Sequence, residues 1–272
     1  MSIKDILFLA DSRSSKTGAY SLSVASMFDA HLTAVGLVVD LTSPNAREMF
    51  SYDVFVSDIE TRKAAMHSEL ERFARKARLN GVQTEVNVLR VLQGTAREVL
   101  ARFARLFDLA IIEQSNPAKK RNRDLELEAV LFGSGRPIIV VPYDCKSPLK
   151  LTTVLVAWDG SSVAARAIGD AMPLLARARH VQIVRVINKP EKDIEIGDVE
   201  IARHLARHAV NAELKILPAT DVANTVLSHA AACSAGLLVM GGYGHSRQRE
   251  MFFGGTTREV LKTMTLPVFM SH

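Results

Sequence analysis

The chain has 272 residues, 48% of them hydrophobic and 23% charged, which supplies a core for one large domain or two small ones and excludes a disordered or fibrous chain. Lys and Arg outnumber Asp and Glu by 34 to 29, a net charge of +5 that is mild for a nucleic-acid binder and has little aromatic support. No stretch approaches the roughly 20 apolar residues of a membrane span, the run Ile6 to Ala10 is too short for a signal core, and Cys145 and Cys233 make neither a disulfide framework nor a zinc pattern, so a soluble cytoplasmic protein is expected.

Ile6 to Ala10 reads as a short buried strand, Ser21 to Phe28 as helix and Thr33 to Val39 as strand. A long amphipathic helix, Asp58 to Asn80, carries Ile59, Met66, Leu70, Phe73 and Ala77 on one face. Met49, Phe50, Tyr52 and Phe55 precede it and could line an apolar pocket, although core packing is the simpler reading. Val86 to Val91 is strand-like, Thr95 to Leu106 helical, Leu109 to Ile112 strand-like, Leu125 to Phe132 helical, and Ile138 to Val141 a closing strand. The basic cluster Lys119, Lys120, Arg121 and Arg123 runs into Asp124, Glu126 and Glu128 and reads as a solvated loop entering a helix, where acids suit the dipole.

Tyr143 to Lys150 is polar, contains Pro148 and reads as a linker. A second pass then begins with a strand at Thr153 to Ala157, a helix at Val163 to Ala178 and a strand at Val181 to Ile187, and ends with strands at Leu237 to Met240 and Val268 to Met270 around a helical run from Arg258 to Thr263. Asp11, Ala30 and Val38 align with Asp159, Ala178 and Val186 at a separation of 148, Val99, Leu100 and Ile112 with Val226, Leu227 and Val239 at 127, and Pro137 with Pro267 at 130. The chain is therefore an internal duplication with a longer second-to-third-strand stretch in its first copy. An α/β fold is expected, with duplicated domains at 1–146 and 150–272, each an open parallel five-stranded sheet flanked by helices.

Ligands of such sheets sit beyond the carboxyl ends of the strands. One loop there stands out: Gly241-Gly242-Tyr243-Gly244-His245-Ser246-Arg247, then Phe252-Phe253-Gly254-Gly255-Thr256-Thr257 entering a helix. Glycines let backbone amides approach a polyanion, and a helix start offers unpaired N–H groups, so the loop can cradle phosphates. The spacing of Gly241, Gly244 and Gly254, G-x2-G-x9-G, resembles the nucleotide-binding signature of the universal stress protein family, with Gly255 standing where the family has Ser or Thr. Val154 to Ser161 is similar to that family's first strand, ending in an aspartate and a small polar turn.

The resemblance implies a tandem universal stress protein of Rossmann-like, adenine nucleotide alpha hydrolase-like fold. It makes Asp159 a contact to the adenosine of ATP, sets backbone groups of Val186 against adenine, brackets ribose and phosphate with Gly241 and Gly244, holds the phosphate chain with Gly254, Gly255, Thr256 and Thr257, and lets His245, Ser246 and Arg247 close over it. Magnesium or manganese with the nucleotide is left open. The closing strands, Ile138 to Val141 and Val268 to Met270, would pair about a pseudo-two-fold axis, an internal dimer; association of two chains and the protein partner are left open.

At the stated offsets the first half has Gln114-Ser115-Asn116-Pro117 in place of Gly241 to Gly244, and Asp124-Leu125-Glu126 in place of Gly254-Gly255-Thr256. Two carboxylates facing phosphate, each like-charge pair costing on the order of 4 kcal/mol at about 4 Å, exclude ATP from that half. Asp11 is expected to cap the turn at Ser12 to Ser15. His204 and His208 are spaced i, i+4 but have no companion metal ligand, so no metal site is expected. No Walker lysine, no serine–histidine–acid order and no paired carboxylates are evident. A nucleotide-binding regulator is expected, with slow ATP hydrolysis as the most catalysis. The alternative is a nucleotide-independent scaffold binding another ligand or protein through the first half.

Overall fold

The computed structural model describes residues 2–11, 15–40, 52–92, 94–116, 118, 123–187, 197–243 and 255–272. The first half runs β1 (Asp5–Ala10), α1 (Ser15–Phe28), β2 (His31–Asp40), α2 (Tyr52–Leu79), β3 (Thr84–Leu92), α3 (Ala96–Ala104), β4 (Leu109–Glu113), α4 (Asp124–Gly133) and β5 (Ile138–Val141). The second half repeats the order as β6 (Thr153–Ala157), α5 (Ser162–Leu175), β7 (His180–Ile187), α6 (Gly197–Arg207), β8 (Ala212–Pro218), α7 (Val222–Ala232), β9 (Leu237–Gly241), α8 (Thr256–Thr263) and β10 (Val268–Ser271). None of the helices is long and apolar enough to cross a membrane among the described residues.

All ten strands form one sheet in the order β3-β2-β1-β4-β5-β10-β9-β6-β7-β8. Pairing is parallel within each half and antiparallel only where β5 meets β10, so two doubly wound sheets join through their closing strands, as expected. In that joint Ile139 pairs with Phe269, Val140 with Val268 and Ile138 with Met270. Since β4 and β9 lie beside β5 and β10 with Ile111↔Ile139 and Val239↔Phe269, Ile139 and Phe269 are counterparts, and the pseudo-two-fold axis passes through their pair. Phe269 is wholly buried there, a contribution of about 2–3 kcal/mol.

Helices cover both faces, which is why central strands such as Leu109–Glu113 are buried at every position instead of alternating. One core, with Phe8, Ile111, Val156, Val239 and Phe269, packs under α1, α2, α5 and α6. The other, with Leu9, Ile112, Leu155, Met240 and Met270, packs under α3, α4, α7 and α8. Each core is continuous across the joint.

Several expectations are corrected. Helix α1 starts at Ser15, six residues before Ser21, and α2 at Tyr52, before Asp58. Of the apolar residues ahead of that helix, Met49 and Phe50 lie outside the described residues. The stretch Tyr143 to Lys150 is largely exposed but anchored at Leu149, which is buried and whose N–H donates to Ser23 Oγ at 2.8 Å.

Strand register also revises the alignment of the halves. Ile6 and Val154, partners of Leu109 and Leu237, keep the 148 separation, but their partners on the other side, Leu32 and Val181, are 149 apart and Leu109 and Leu237 are 128 apart. Helices α1 and α5 start and end 147 apart, and the turn that follows has two residues, Asp29–Ala30, in one half and four, Ala176–Arg179, in the other. Val38 therefore matches Ile187 and not Val186, and Ile112 matches Met240. The first-half counterpart of Gly241-Gly242-Tyr243-Gly244 becomes Glu113-Gln114-Ser115-Asn116.

Candidate functional site

In the second half the strand order reverses between β6 and β9, which lead outward to β7 and β10 respectively. Their carboxyl ends open the crevice in which such sheets bind ligands. Asp159 and Ser161 follow β6. Asp159 Oδ1 accepts from the Ser161 N–H at 2.9 Å, and Ser161 Oγ accepts from the Ala164 N–H at 3.2 Å, capping α5. Gly160 turns the chain between them at φ +76, a conformation natural to glycine. Asp159 is exposed, and among the described residues its Oδ2 has no partner.

Val186 lies one strand further out. The carbonyl of Val184 accepts from the Trp158 N–H at 2.9 Å, and the carbonyl of Ile187 accepts from the Ala219 N–H at 3.1 Å, so residues 184 and 187 face opposite neighbours. By strand alternation the N–H and C=O of Val186 point the same way as those of Val184, toward β6 but beyond its last ladder pair, Ala157↔Val184. That places backbone donor and acceptor at the crevice edge above Trp158, whose own Nε1 is buried without a partner among the described residues.

Gly241 ends β9 against the start of α5. A Cβ there would lie 2.7 Å from Ala164 N and from Val163 Cγ2, so only glycine permits this approach. The Gly242 N–H donates to Ser271 O at 2.8 Å. Tyr243 then takes φ +54, left-handed and unusual for a bulky residue, and its N–H donates to Thr257 Oγ1 at 3.0 Å. Thr257 is buried in the first turn of α8, so this bond ties the root of the glycine loop to the helix start. Gly255 is the extended N-cap of α8 and supplies no side-chain bond, and among the described residues no side chain caps the first-turn N–H groups of Thr256, Thr257 and Arg258. Asp159, Gly241, Gly255, Thr256 and Thr257 thus come together at one end of the sheet. Gly244, His245, Arg247 and Gly254 lie outside the described residues.

The first-half crevice, between β1 and β4, is built differently. Arg123, only 3% exposed, donates from Nη1 to Leu9 O at 3.2 Å and pairs through Nη2 with Asp11 Oδ2 at 3.4 Å. Its guanidinium sits at the end of β1, the strand that corresponds to β6 of the second half. Glu113, the counterpart of Gly241, accepts from Thr17 Oγ1 at 2.9 Å, and Thr17 is the counterpart of Ala164, the residue that Gly241 touches. Asp124 Oδ1 accepts from Ser115 Oγ at 2.6 Å, and Ser115 Oγ accepts from the Arg123 N–H at 2.9 Å.

Asp11 pairs with Arg123, while Ser12 to Ser14 of the turn it was expected to cap lie outside the described residues; of the two carboxylates expected to face phosphate, Asp124 is exposed. Arg123 had the sequence signal of a surface cation in a basic cluster. Its fate is legible only from topology, which brings the residue before α4 to the end of β1.

His204 and His208 are exposed, with ring centroids 4.9 Å apart, and among the described residues no group of three or more His, Cys, Asp or Glu side chains could hold a metal ion.

Residues 150–272 match the model of the universal stress protein family. The chain is 26% identical over 147 residues to the universal stress protein Slr1230 of Synechocystis sp. (strain ATCC 27184 / PCC 6803 / Kazusa), a match covering 52% of this chain and 49% of that protein, so it spans about half the length of the curated relative. Its fold is similar to a universal stress protein from Archaeoglobus fulgidus DSM 4304, with a TM-score of 0.75 at 17% identity over 98% of this chain and 95% of the other. A functionally unknown protein from Pseudomonas aeruginosa PAO1 gives a TM-score of 0.63 at 15% identity over 99% and 92%.

Proposed function

With a universal stress protein domain at residues 150–272 and the same fold repeated in the first half, we propose that the chain binds one adenine nucleotide, ATP, in its second half and acts as a nucleotide-responsive regulator or interaction module and not as a dedicated enzyme. The observation that carries this reading is the start of α8 at a glycine N-cap that supplies no side-chain bond, joined through Thr257 and Tyr243 to a glycine-rich strand end at the switch point. First-turn N–H groups and the positive end of the helix dipole suit an α- or β-phosphate, and the backbone of Val186 suits the edge of a purine. Asp159 Oδ2 suits a ribose or adenosine donor, and the family resemblance assigns Gly244, His245, Arg247 and Gly254 to the ribose and phosphates. The Arg123–Asp11 pair removes the equivalent space from the first half.

Trp158 is the single tryptophan of the chain and directly precedes Asp159, so ATP titration is expected to change its fluorescence. Gly255→Asp gives a discriminating variant. The backbone at Gly255 (φ −60, ψ 146) accepts any residue, and an aspartate there caps α8 while setting a carboxylate where phosphate would lie. The expected outcome is unchanged or slightly higher thermal stability with ATP affinity lowered at least about a hundredfold. A variant that binds ATP like the parent contradicts the proposed phosphate position. A parent chain that neither binds nor is stabilised by ATP favours the nucleotide-independent scaffold.

A further inference from the structure

The two halves touch through more than their closing strands. Helix α4 follows Arg123 in the first-half crevice and ends against the root of the second half's glycine loop: Leu131 Cδ2 would lie 2.8 Å from a Cβ at Gly242, and the Phe132 ring sits 5.1 Å from that of Tyr243. Phe132 also meets His272 edge-on at 4.6 Å, and His272 Nδ1 lies 2.9 Å from Gly242 O. The reciprocal contact is polar. Helix α8 begins at the second-half crevice, and its final carbonyls, Leu261 O and Lys262 O, accept from Gln114 Nε2 at 2.7 and 3.3 Å.

These are the same joint built twice. Gln114 and Gly242 are counterparts, since the N–H of each donates to the closing strand of its own half, to Val141 O and Ser271 O respectively, each at 2.8 Å. Leu131 and Leu261 are counterparts by the burial of Leu127, Val130 and Thr257, Val260, each pair 130 apart. So each half's last helix starts at its own crevice and ends on the loop root of the other, once by apolar packing and once by hydrogen bonding.

We propose that Gln114 and Phe132 are positioning residues for the second half's nucleotide site, so that the half that lacks a glycine loop supplies the support of the loop in the other. Gln114 fixes the far end of the helix whose start faces phosphate. The amide is 4% exposed and bonds carbonyls that the helix itself cannot satisfy. Phe132 braces the ring of Tyr243 and so holds the left-handed turn that aims the chain from β9 toward Gly244. An unfavourable backbone conformation persists only when its surroundings over-determine it, and here the Thr257 bond and the Phe132 ring are two such constraints.

This inference rests on the nucleotide reading, and the test separates the two. Amide hydrogen exchange of the full chain is compared without ligand in the parent, Gln114→Leu and Phe132→Ala, with exchange in β1 to β3 as the internal standard for global stability. Faster exchange confined to 241–243 and 255–263 supports the support role, whether or not ATP binds. Exchange unchanged there, or raised equally in β1 to β3, overturns it. If the parent binds ATP, each variant is expected to bind about fivefold more weakly, the loss that follows from one hydrogen bond or one ring contact. By reciprocity, ATP is expected to slow exchange in residues 127–133 of the parent and to leave them unaffected in Phe132→Ala. Parent-like affinity in both variants, or ATP protection of α4 that persists in Phe132→Ala, overturns the inference while leaving the nucleotide site in place.

Discussion

The two crevices of this chain stand at equivalent points of a duplicated fold and have been finished in opposite ways. In the first, the end of β1 is sealed by a buried guanidinium on Leu9 O and Asp11, and the end of β4 carries Glu113 bonded to Thr17. In the second, the end of β6 carries an exposed Asp159, the end of β9 a glycine against the backbone of α5, and the N-cap of α8 is a glycine where α4 has Arg123. A doubly wound sheet leaves unpaired strand ends and helix starts at its switch point whatever its sequence. Among the described residues, the first half brings the charged side chains of Arg123, Asp11 and Glu113 to these ends, and the second brings Asp159 and Gly241.

The difference can be broken from either side. Arg123→Ala is expected to have the largest effect, a loss of about 3 kcal/mol, because Asp11 loses its cation and Leu9 O its donor inside a site built around them. A urea unfolding midpoint measures it. Gly241→Val forces a side chain onto the backbone of Val163 and Ala164, costs about 2 kcal/mol by the same measurement, and is expected to abolish nucleotide binding. Thr257→Val keeps the shape of a buried side chain but removes the acceptor of the Tyr243 N–H, at a cost of about 1.5 kcal/mol. ATP affinity is expected to fall about tenfold, read by Trp158 fluorescence.

The smallest effect distinguishes the cores beneath the crevices. Tyr20 is wholly buried in α1, its hydroxyl has no partner among the described residues, and its counterpart by helix position, 147 residues on, is Ala167. Burial holds the Tyr20 phenol well above its ordinary value, with the nearby Cys145 thiol acting in the same direction. A folded-state value raised above the unfolded one means that stability is fully present below about pH 10 and is lost as pH rises beyond it. Tyr20→Phe is expected to raise stability by about 1 kcal/mol at pH 7 and to flatten the alkaline loss, measured by thermal unfolding across pH 7 to 11. A parallel decline in parent and variant above pH 10 would assign that loss to other groups.

Much of the fold was legible because βα alternation and buried apolar runs carry it, and the pairing of Ile138 to Val141 with Val268 to Met270 is found in the sheet. The alignment of the halves slipped by one because strands buried on both faces carry no alternation to fix their register, so Ile112 sits as well against Val239 as against Met240. The early start of α1 was hidden by the polar stretch Ser15, Lys16, Thr17 and Gly18, where Thr17 and Gly18 are in fact buried. At the site, glycine spacing and the Thr257 helix start could be read directly. Arg123, Gln114 and Tyr243 could not, since their partners at Leu9, Leu261 and Phe132 are more than 100 residues away and only the folded sheet brings them together.

Calorimetric titration of the full chain with ATP, run beside Gly255→Asp and Arg123→Ala, bears most directly on the asymmetry between the halves. One nucleotide per parent chain, lost in Gly255→Asp and kept in folded Arg123→Ala, is the expected result. Two nucleotides per chain, or one that survives Gly255→Asp, would contradict it.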